Sequence, residues 1–209
     1  MRTLYVVLVA ALASPAMAQE SRSFDLPPFS AIDADGGMEI LIEIGQPQRV
    51  VADYAGNAIE DLQVEVDNGV LEVKTAKKSF WGGRRSIPVT LHVTVPSLEE
   101  VVAGAGMELE ATGLDESELT VTITTGAIAA LTGRCGDLQA DVSTGGVLKA
   151  NALQCDAVEI EASTGAVARV HGQARVEASA NTGASVKVFG RPNRYRGKAT
   201  LGGTVERTS

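Results

Sequence analysis

Apolar and polar residues alternate in short runs from residue 107 to residue 199, and the runs recur against a fixed marker. The marker is a Thr-Gly pair at Thr125-Gly126, Thr144-Gly145, Thr164-Gly165 and Thr182-Gly183, with Gly106 before it and Gly202 after it. Successive glycines lie 20, 19, 20, 18 and 19 residues apart. After each glycine, alternate positions read Met107/Leu109/Ala111, Ala127/Ala129/Leu131, Gly146/Leu148/Ala150, Ala166/Ala168/Val170 and Ala184/Val186/Val188. Before each glycine they read Leu119/Val121/Ile123, Leu138/Ala140/Val142, Val158/Ile160/Ala162, Val176/Ala178/Ala180 and Tyr195/Gly197/Ala199. Such a pattern predicts two strands per repeat, each burying one face. A unit this short cannot cover its own apolar face, so the repeats must stack as rungs.

The predicted fold is all-β: a single-stranded parallel β-helix (a β-solenoid, expected to be right-handed) with ladder hydrogen bonds along the coil axis. Small inward residues predict a thin coil without room for an internal ligand. Two strands per rung need two corners. The Thr-Gly corner is tight, with Gly taking the costly backbone angles, and its Thr hydroxyls are expected to bond along the stack or to local backbone. The other corner is expected to be a loop that absorbs the variation in period, from Gly113-Leu114-Asp115 in the first rung to Gly190-Arg191-Pro192-Asn193 in the last.

Residues 24–102 alternate less regularly. Met38 to Ile44, Arg49 to Tyr54, Leu62 to Asp67, Val70 to Thr75 and Ile87 to Val95 read as strands. Asp67-Asn68-Gly69 is a hairpin signal, and Asn57 to Leu62 fits one helical turn capped by Asn57. This half is expected either to cap the coil or to add irregular rungs to it.

The first residues carry a different pattern. Arg2, the apolar run Leu4 to Ala13 and Ala16-Met17-Ala18 form a secretory signal peptide, cleaved after Ala18. The expected organisation is a signal peptide at 1–18, a β-rich capping half at 19–102 and a regular solenoid at 103–209. The protein is thus expected to be exported, to the periplasm or the cell exterior, with no membrane span after cleavage.

The 209-residue chain has a net charge of −8, or −9 without Arg2, and only 4% aromatic residues. That balance disfavours nucleic acid, which needs a basic field and stacking platforms. Cys135 and Cys155 lie one rung apart. A rung rise of about 4.8 Å permits a disulfide there, and export permits the oxidation; two free thiols fit the spacing equally well.

Several stretches together carry a family resemblance. They are Phe29-Ser30-Ala31-Ile32 leading to Gly37-Met38-Glu39-Ile40, Asp67-Asn68-Gly69-Val70-Leu71-Glu72-Val73, and Val95-Pro96-Ser97-Leu98 leading into Gly104-Ala105-Gly106. With the rungs that follow, they resemble the putative auto-transporter adhesin, head GIN domain family over about residues 22–208. The resemblance implies a bacterial exported β-helix of unestablished function, and it transfers no catalytic or binding residue. The rungs depart from the family's common Ser-Gly-Ser-Gly, and no translocator barrel is expected after them.

Outward positions hold the candidate chemistry. Asp141, Glu159, Glu161 and Glu177 fall on one outer face, and Lys149, Arg169 and Lys187 on the other. They read as a stripe for a charged polysaccharide, metal or partner, or as a solvated surface that discourages lateral pairing. Glu159 and Glu161 have the spacing of a glycosidase pair, but no set of residues fills all catalytic roles. His92 and His171 have no ligand at diagnostic spacing. The loop Phe80-Trp81-Gly82-Gly83-Arg84-Arg85 is a candidate contact or a rigid anchor.

No catalytic, cofactor or metal residue is assigned. The expected function is a non-enzymatic, adhesin-like binding or scaffold protein whose partner is a glycan or protein of the cell envelope. A polysaccharide-cleaving enzyme and a structural protein self-assembling through its last rung are the alternatives.

Overall fold

The computed structural model describes residues 19–75 and 86–208, and within them the chain is almost entirely β-sheet. The signal peptide and the Phe80-Trp81 loop lie outside the described residues. In chain order the strands are β1 (Gln19–Phe24), β2 (Ala31–Asp35), β3 (Glu39–Ile44), β4 (Arg49–Ala55), β5 (Leu62–Asp67), β6 (Val70–Thr75), β7 (Val89–Val95), β8 (Glu100–Gly104), β9 (Glu108–Ile123), β10 (Ile128–Val142), β11 (Val147–Ala162), β12 (Val167–Ala180), β13 (Ser185–Phe189), β14 (Arg194–Ala199) and β15 (Thr204–Thr208).

The regular half is a parallel solenoid. β9, β10, β11 and β12 stack in parallel, in register along each face and shifted only at the second corner, and β13, β14 and β15 continue the stack. The inward triplets predicted from the alternation are buried in every rung but the last. Tyr195, Gly197 and Ala199 were expected inside and are exposed. The reason is topological: β14 pairs with β12 on one side, and no other strand among the described residues pairs with it.

The Thr-Gly corners are tighter than sequence reasoning required. Both residues take left-handed angles, with φ of 50° at Thr125, 51° at Thr144, 52° at Thr164 and 47° at Thr182, and 71–74° at the glycines that follow. A β-branched residue is costly there. Each corner is closed by a backbone bond across the turn, such as Ala127 N to Thr124 O at 3.0 Å, and tied to the next rung by another, Gly126 N to Thr144 O at 3.1 Å. The Thr hydroxyls were expected to bond along the stack or to local backbone, and at two corners they reach a neighbouring side chain instead, Thr125 Oγ1 donating to Thr124 Oγ1 at 3.5 Å. Thr182 Oγ1 donates to Asn181 Oδ1 at 3.1 Å, within its own corner.

The second corner is the expected loop only in the last rung, where Gly190-Arg191-Pro192-Asn193 joins β13 to β14. From β9 to β12 the strand runs through it while staying hydrogen-bonded to its neighbours, and the unequal rung lengths appear as register shifts, for example between Ala150 and Gln154. This path turns Leu114, Leu153, Cys135 and Cys155 inward, all at most 7% exposed. The backbone remains paired because an interior bend would otherwise leave polar groups unsatisfied.

The front half both extends and caps the coil. β2 lies between β6 and β8, and β3 between β7 and β9, all parallel. The rung of β2 and β3 therefore sits between the rung of β6 and β7 and the first regular rung, out of chain order. Beyond β6 and β7 the pairing turns antiparallel: β5 on β6, β4 on β7, and β1 on β4. These strands end the parallel stack with edges that carry Glu20, Glu65 and Asp67, a charge pattern that blunts edge pairing. Asp67-Asn68-Gly69 makes the predicted β5–β6 hairpin, with φ of 48° at Asn68 and 82° at Gly69. The helical turn forms as 3-10 at Ala58–Asp61, but the Asn57 side chain makes no capping bond. Instead the backbone carbonyl of Asn57 accepts from Glu60 N at 3.1 Å, closing the turn without the side chain.

Candidate functional site

The outward residues fall into straight columns because the ladder is in register. One face is built on β8 and on the second halves of β9 to β12, followed by β14. One column reads Thr120, Gln139, Glu159, Glu177, Arg196, and its neighbour reads Thr122, Asp141, Glu161, Ser179, Lys198. The structure thus brings together all four predicted acids. Glu159 sits beside Glu177 across a rung, and Asp141 beside Glu161, at a ladder spacing of about 4.8 Å. The acids flank shallow depressions of about 290 Å³, lined by Thr120, Gln139, Asp141, Glu159 and Glu161 among others, and about 190 Å³, reaching Arg196 and Lys198. Arg196 closes the column, its Nη1 lying 3.9 Å from Glu177 Oε1. At the other end of the face the acidic character continues through Asp33 and Glu72, with Lys74 bound to Glu72. That hydrogen bond raises the Lys74 pKa above its ordinary value.

The opposite face is built on β7, β3, the first halves of β9 to β12, β13 and β15. Lys149, Arg169 and Lys187 form one column, as predicted. The column is not basic throughout. Followed toward the cap, it passes Ala130 to Glu110, Leu41 and His92. The column beside it runs Val167, Val147, Ile128, Glu108, Glu39. This face is therefore acidic on β3 and β9, apolar at the β10 rung and basic from β11 to β13, and Glu206 of β15 ends the basic column. The alternation already sets Glu108 and Glu110 outward on the regular rung of β9, whereas Glu39 joins the face only through the out-of-order rung of β3.

His92 lies on this face with Nε2 3.3 Å from Asp53 Oδ2. His171 stacks between Gln154 and Phe189 at the second corner. Cys135 and Cys155 are bonded to each other, with Cα atoms 4.5 Å apart, so the bridge takes the place of two free thiols. No group of three or more His, Cys, Asp or Glu among the described residues is placed to hold a metal. Glu159 and Glu161 project from one strand, both exposed. The arrangement offers two flat, rigid, charged faces and a filled interior, geometry suited to surface contact.

The model of the family described as putative auto-transporter adhesin, head GIN domain, matches residues 28–192. No curated protein matches the chain. Among solved structures, a putative adhesin of Bacteroides fragilis is similar with a TM-score of 0.72 and 17% identity, over 93% of this chain and 99% of that one. A putative lipid binding protein of Parabacteroides distasonis has a TM-score of 0.56 and 12% identity, over 91% of this chain and 97% of that one. A putative adhesin of Parabacteroides merdae has a TM-score of 0.53 and 14% identity, over 91% and 96%. At these identities the likeness concerns the fold. The family and two of these three relatives are described as adhesins, and none as an enzyme.

Proposed function

The chain belongs to the putative auto-transporter adhesin, head GIN domain family, and from that membership we propose that it is an exported, non-enzymatic binding or scaffold protein of the cell envelope. The observation that carries the reading is the acidic face: Asp141, Glu159, Glu161 and Glu177 held in adjacent columns on a stapled, parallel coil. Like charges set side by side are unfavourable for folding, and their value lies in presenting a fixed array to a partner of opposite charge. The partner is a cationic region of an envelope glycan or protein. Periplasm or cell exterior is its compartment, where the Cys135–Cys155 bridge persists.

Enclosure of a lipid chain fits less well, because the inward positions of the regular rungs are filled by Ala, Val, Leu and Ile at near-zero exposure. Cleavage of a polysaccharide fits less well too, since Glu159 and Glu161 share one exposed environment and a glycosidase pair needs two different ones.

Crosslinking in intact cells, followed by mass spectrometry, tests the proposal together with glycan arrays. The wild-type chain is expected to capture a specific partner that the Glu159→Gln/Glu161→Gln/Glu177→Gln variant loses. Failure of both methods to return any specific partner would sink it.

A further inference from the structure

From β3 to β13 the face opposite the acidic columns carries charges that reverse sign along the coil about the apolar rung of β10, and Glu206 of β15 lies beyond that stretch. We propose that this face pairs with the same face of a second copy of this chain, the two coils antiparallel. The inference stands apart from the envelope partner, which uses the other face.

The argument is one of symmetry. Ile128 and Ala130 of β10 project from the middle of this face and are half-buried. One rung toward the cap stand Glu108 and Glu110, and one rung the other way Val147 and Lys149. Two rungs out, Leu41 lies on the cap side and Arg169 on the far side. Two identical flat faces can meet about a two-fold axis lying between them. If that axis ran along the coil, acids would face acids and bases would face bases. If it runs along the strands at the β10 rung, each residue keeps its column and the rung order inverts. Glu110 of one copy then faces Lys149 of the other, and Arg169 faces Leu41 with Glu39 and Glu43 beside it. Ala130 meets itself on the axis, and Val147 covers the stem of Glu108. Charge complementarity therefore selects one of the two arrangements and fixes its register.

The apolar centre is small. Seven rungs of about 4.8 Å, from β7 to β13, and five residues of about 3.3 Å define a patch of roughly 550 Å² on each copy, at the low end for a specific interface. The dimer is accordingly expected to be weak, concentration-dependent and sensitive to salt, which screens the pairs at its rim.

Sedimentation equilibrium on the exported chain at low salt is expected to show a monomer–dimer equilibrium. Lys149→Glu/Arg169→Glu should weaken it on the order of a hundredfold, and so should Glu108→Lys/Glu110→Lys. An equimolar mixture of the two variants should associate again. Register is read separately: Ala130→Cys should form a disulfide-linked dimer under oxidising conditions, whereas Glu110→Cys and Lys149→Cys should crosslink with each other and not with themselves. Monomers at every concentration would overturn the proposal, including monomers that bind an anionic glycan through Lys149 and Arg169. A dimer indifferent to charge reversal, or one crosslinked at the wrong rungs, would overturn it equally.

Discussion

Cys135 lies beside Cys155 in the parallel ladder between β10 and β11, and the disulfide between them staples two successive rungs at the second corner. The bridge closes a 20-residue span, one full turn of the coil. A cross-link of that span removes chain entropy from the unfolded state worth about 3 kcal/mol. Both residues are also buried among the core side chains.

Replacing both cysteines by alanine is expected to lower unfolding stability by about 3–4 kcal/mol. Urea denaturation of the double variant against the wild type measures it. A loss below about 1 kcal/mol would mean that the unfolded chain without the bridge retains structure that already limits its freedom.

Thr144 precedes Gly145 at the tight corner with φ of 51°, and its side chain is exposed. A β-branched residue pays for that angle, whereas Asn takes it readily. Thr144→Asn is expected to stabilise the protein by about 0.5–1 kcal/mol. Thermal unfolding of the single variant reads the sign directly, and a fall in midpoint would show that the threonine is held by something its exposure does not reveal.

The glycines of the two corners should separate sharply. A Cβ on Gly126 would meet nothing within 4 Å, so Gly126→Ala costs only the left-handed angle, about 1 kcal/mol. A Cβ on Gly133 would lie 2.2 Å from the backbone oxygen of Leu114 in the rung below, at a φ of 132°. That clash is with backbone, which cannot yield without breaking the ladder. Gly133→Ala is expected to lose several times more stability than Gly126→Ala, on the order of 3 kcal/mol or more. Equal losses in parallel denaturation curves would contradict the close approach of the rungs.

These corners also mark what the sequence could and could not disclose. Alternation about Gly126, Gly145, Gly165 and Gly183 was enough to sort inside from outside, because a strand has period two and one buried face. It failed at the second corner, where Leu114 and Leu153 turn inward through bends that have no fixed period. It failed again at Tyr195, whose burial depends on a neighbouring strand and not on its own pattern. The acidic columns on β10 to β12 were legible because they repeat within the regular rungs. The meeting of Glu39 with Glu108 was not, because nothing local records that β3 inserts between β7 and β9.

The edge strand β1 is fastened by Tyr54, whose hydroxyl donates to Glu20 Oε2 at 3.0 Å. That hydrogen bond, with a smaller contribution from desolvation, raises the tyrosine pKa above its ordinary value. A raised folded pKa means that the contact is fully present at neutral pH and is lost as pH climbs through the folded pKa. Glu20→Gln is expected to lower the titration midpoint of Tyr54, followed as tyrosinate absorbance with Tyr54→Phe as the reference. An unchanged midpoint would remove Glu20 as the cause.

The acidic columns make the last and most discriminating case. Glu159 and Glu177 stand side by side, as do Asp141 and Glu161, and each pair repels at a spacing of about 4.8 Å. Neutralising Glu159 and Glu161 as glutamines should therefore raise stability by about 0.5–1 kcal/mol at low ionic strength. The gain should shrink in high salt, where the Debye length falls to about 3 Å. The same double variant is expected to lose part of the envelope partner's binding. Denaturation at two salt concentrations and partner capture on one protein preparation measure both sides. A variant more stable yet poorer at binding places the acids in the service of recognition. If binding is unchanged, the columns are ordinary solvated surface and the contact lies elsewhere on the coil.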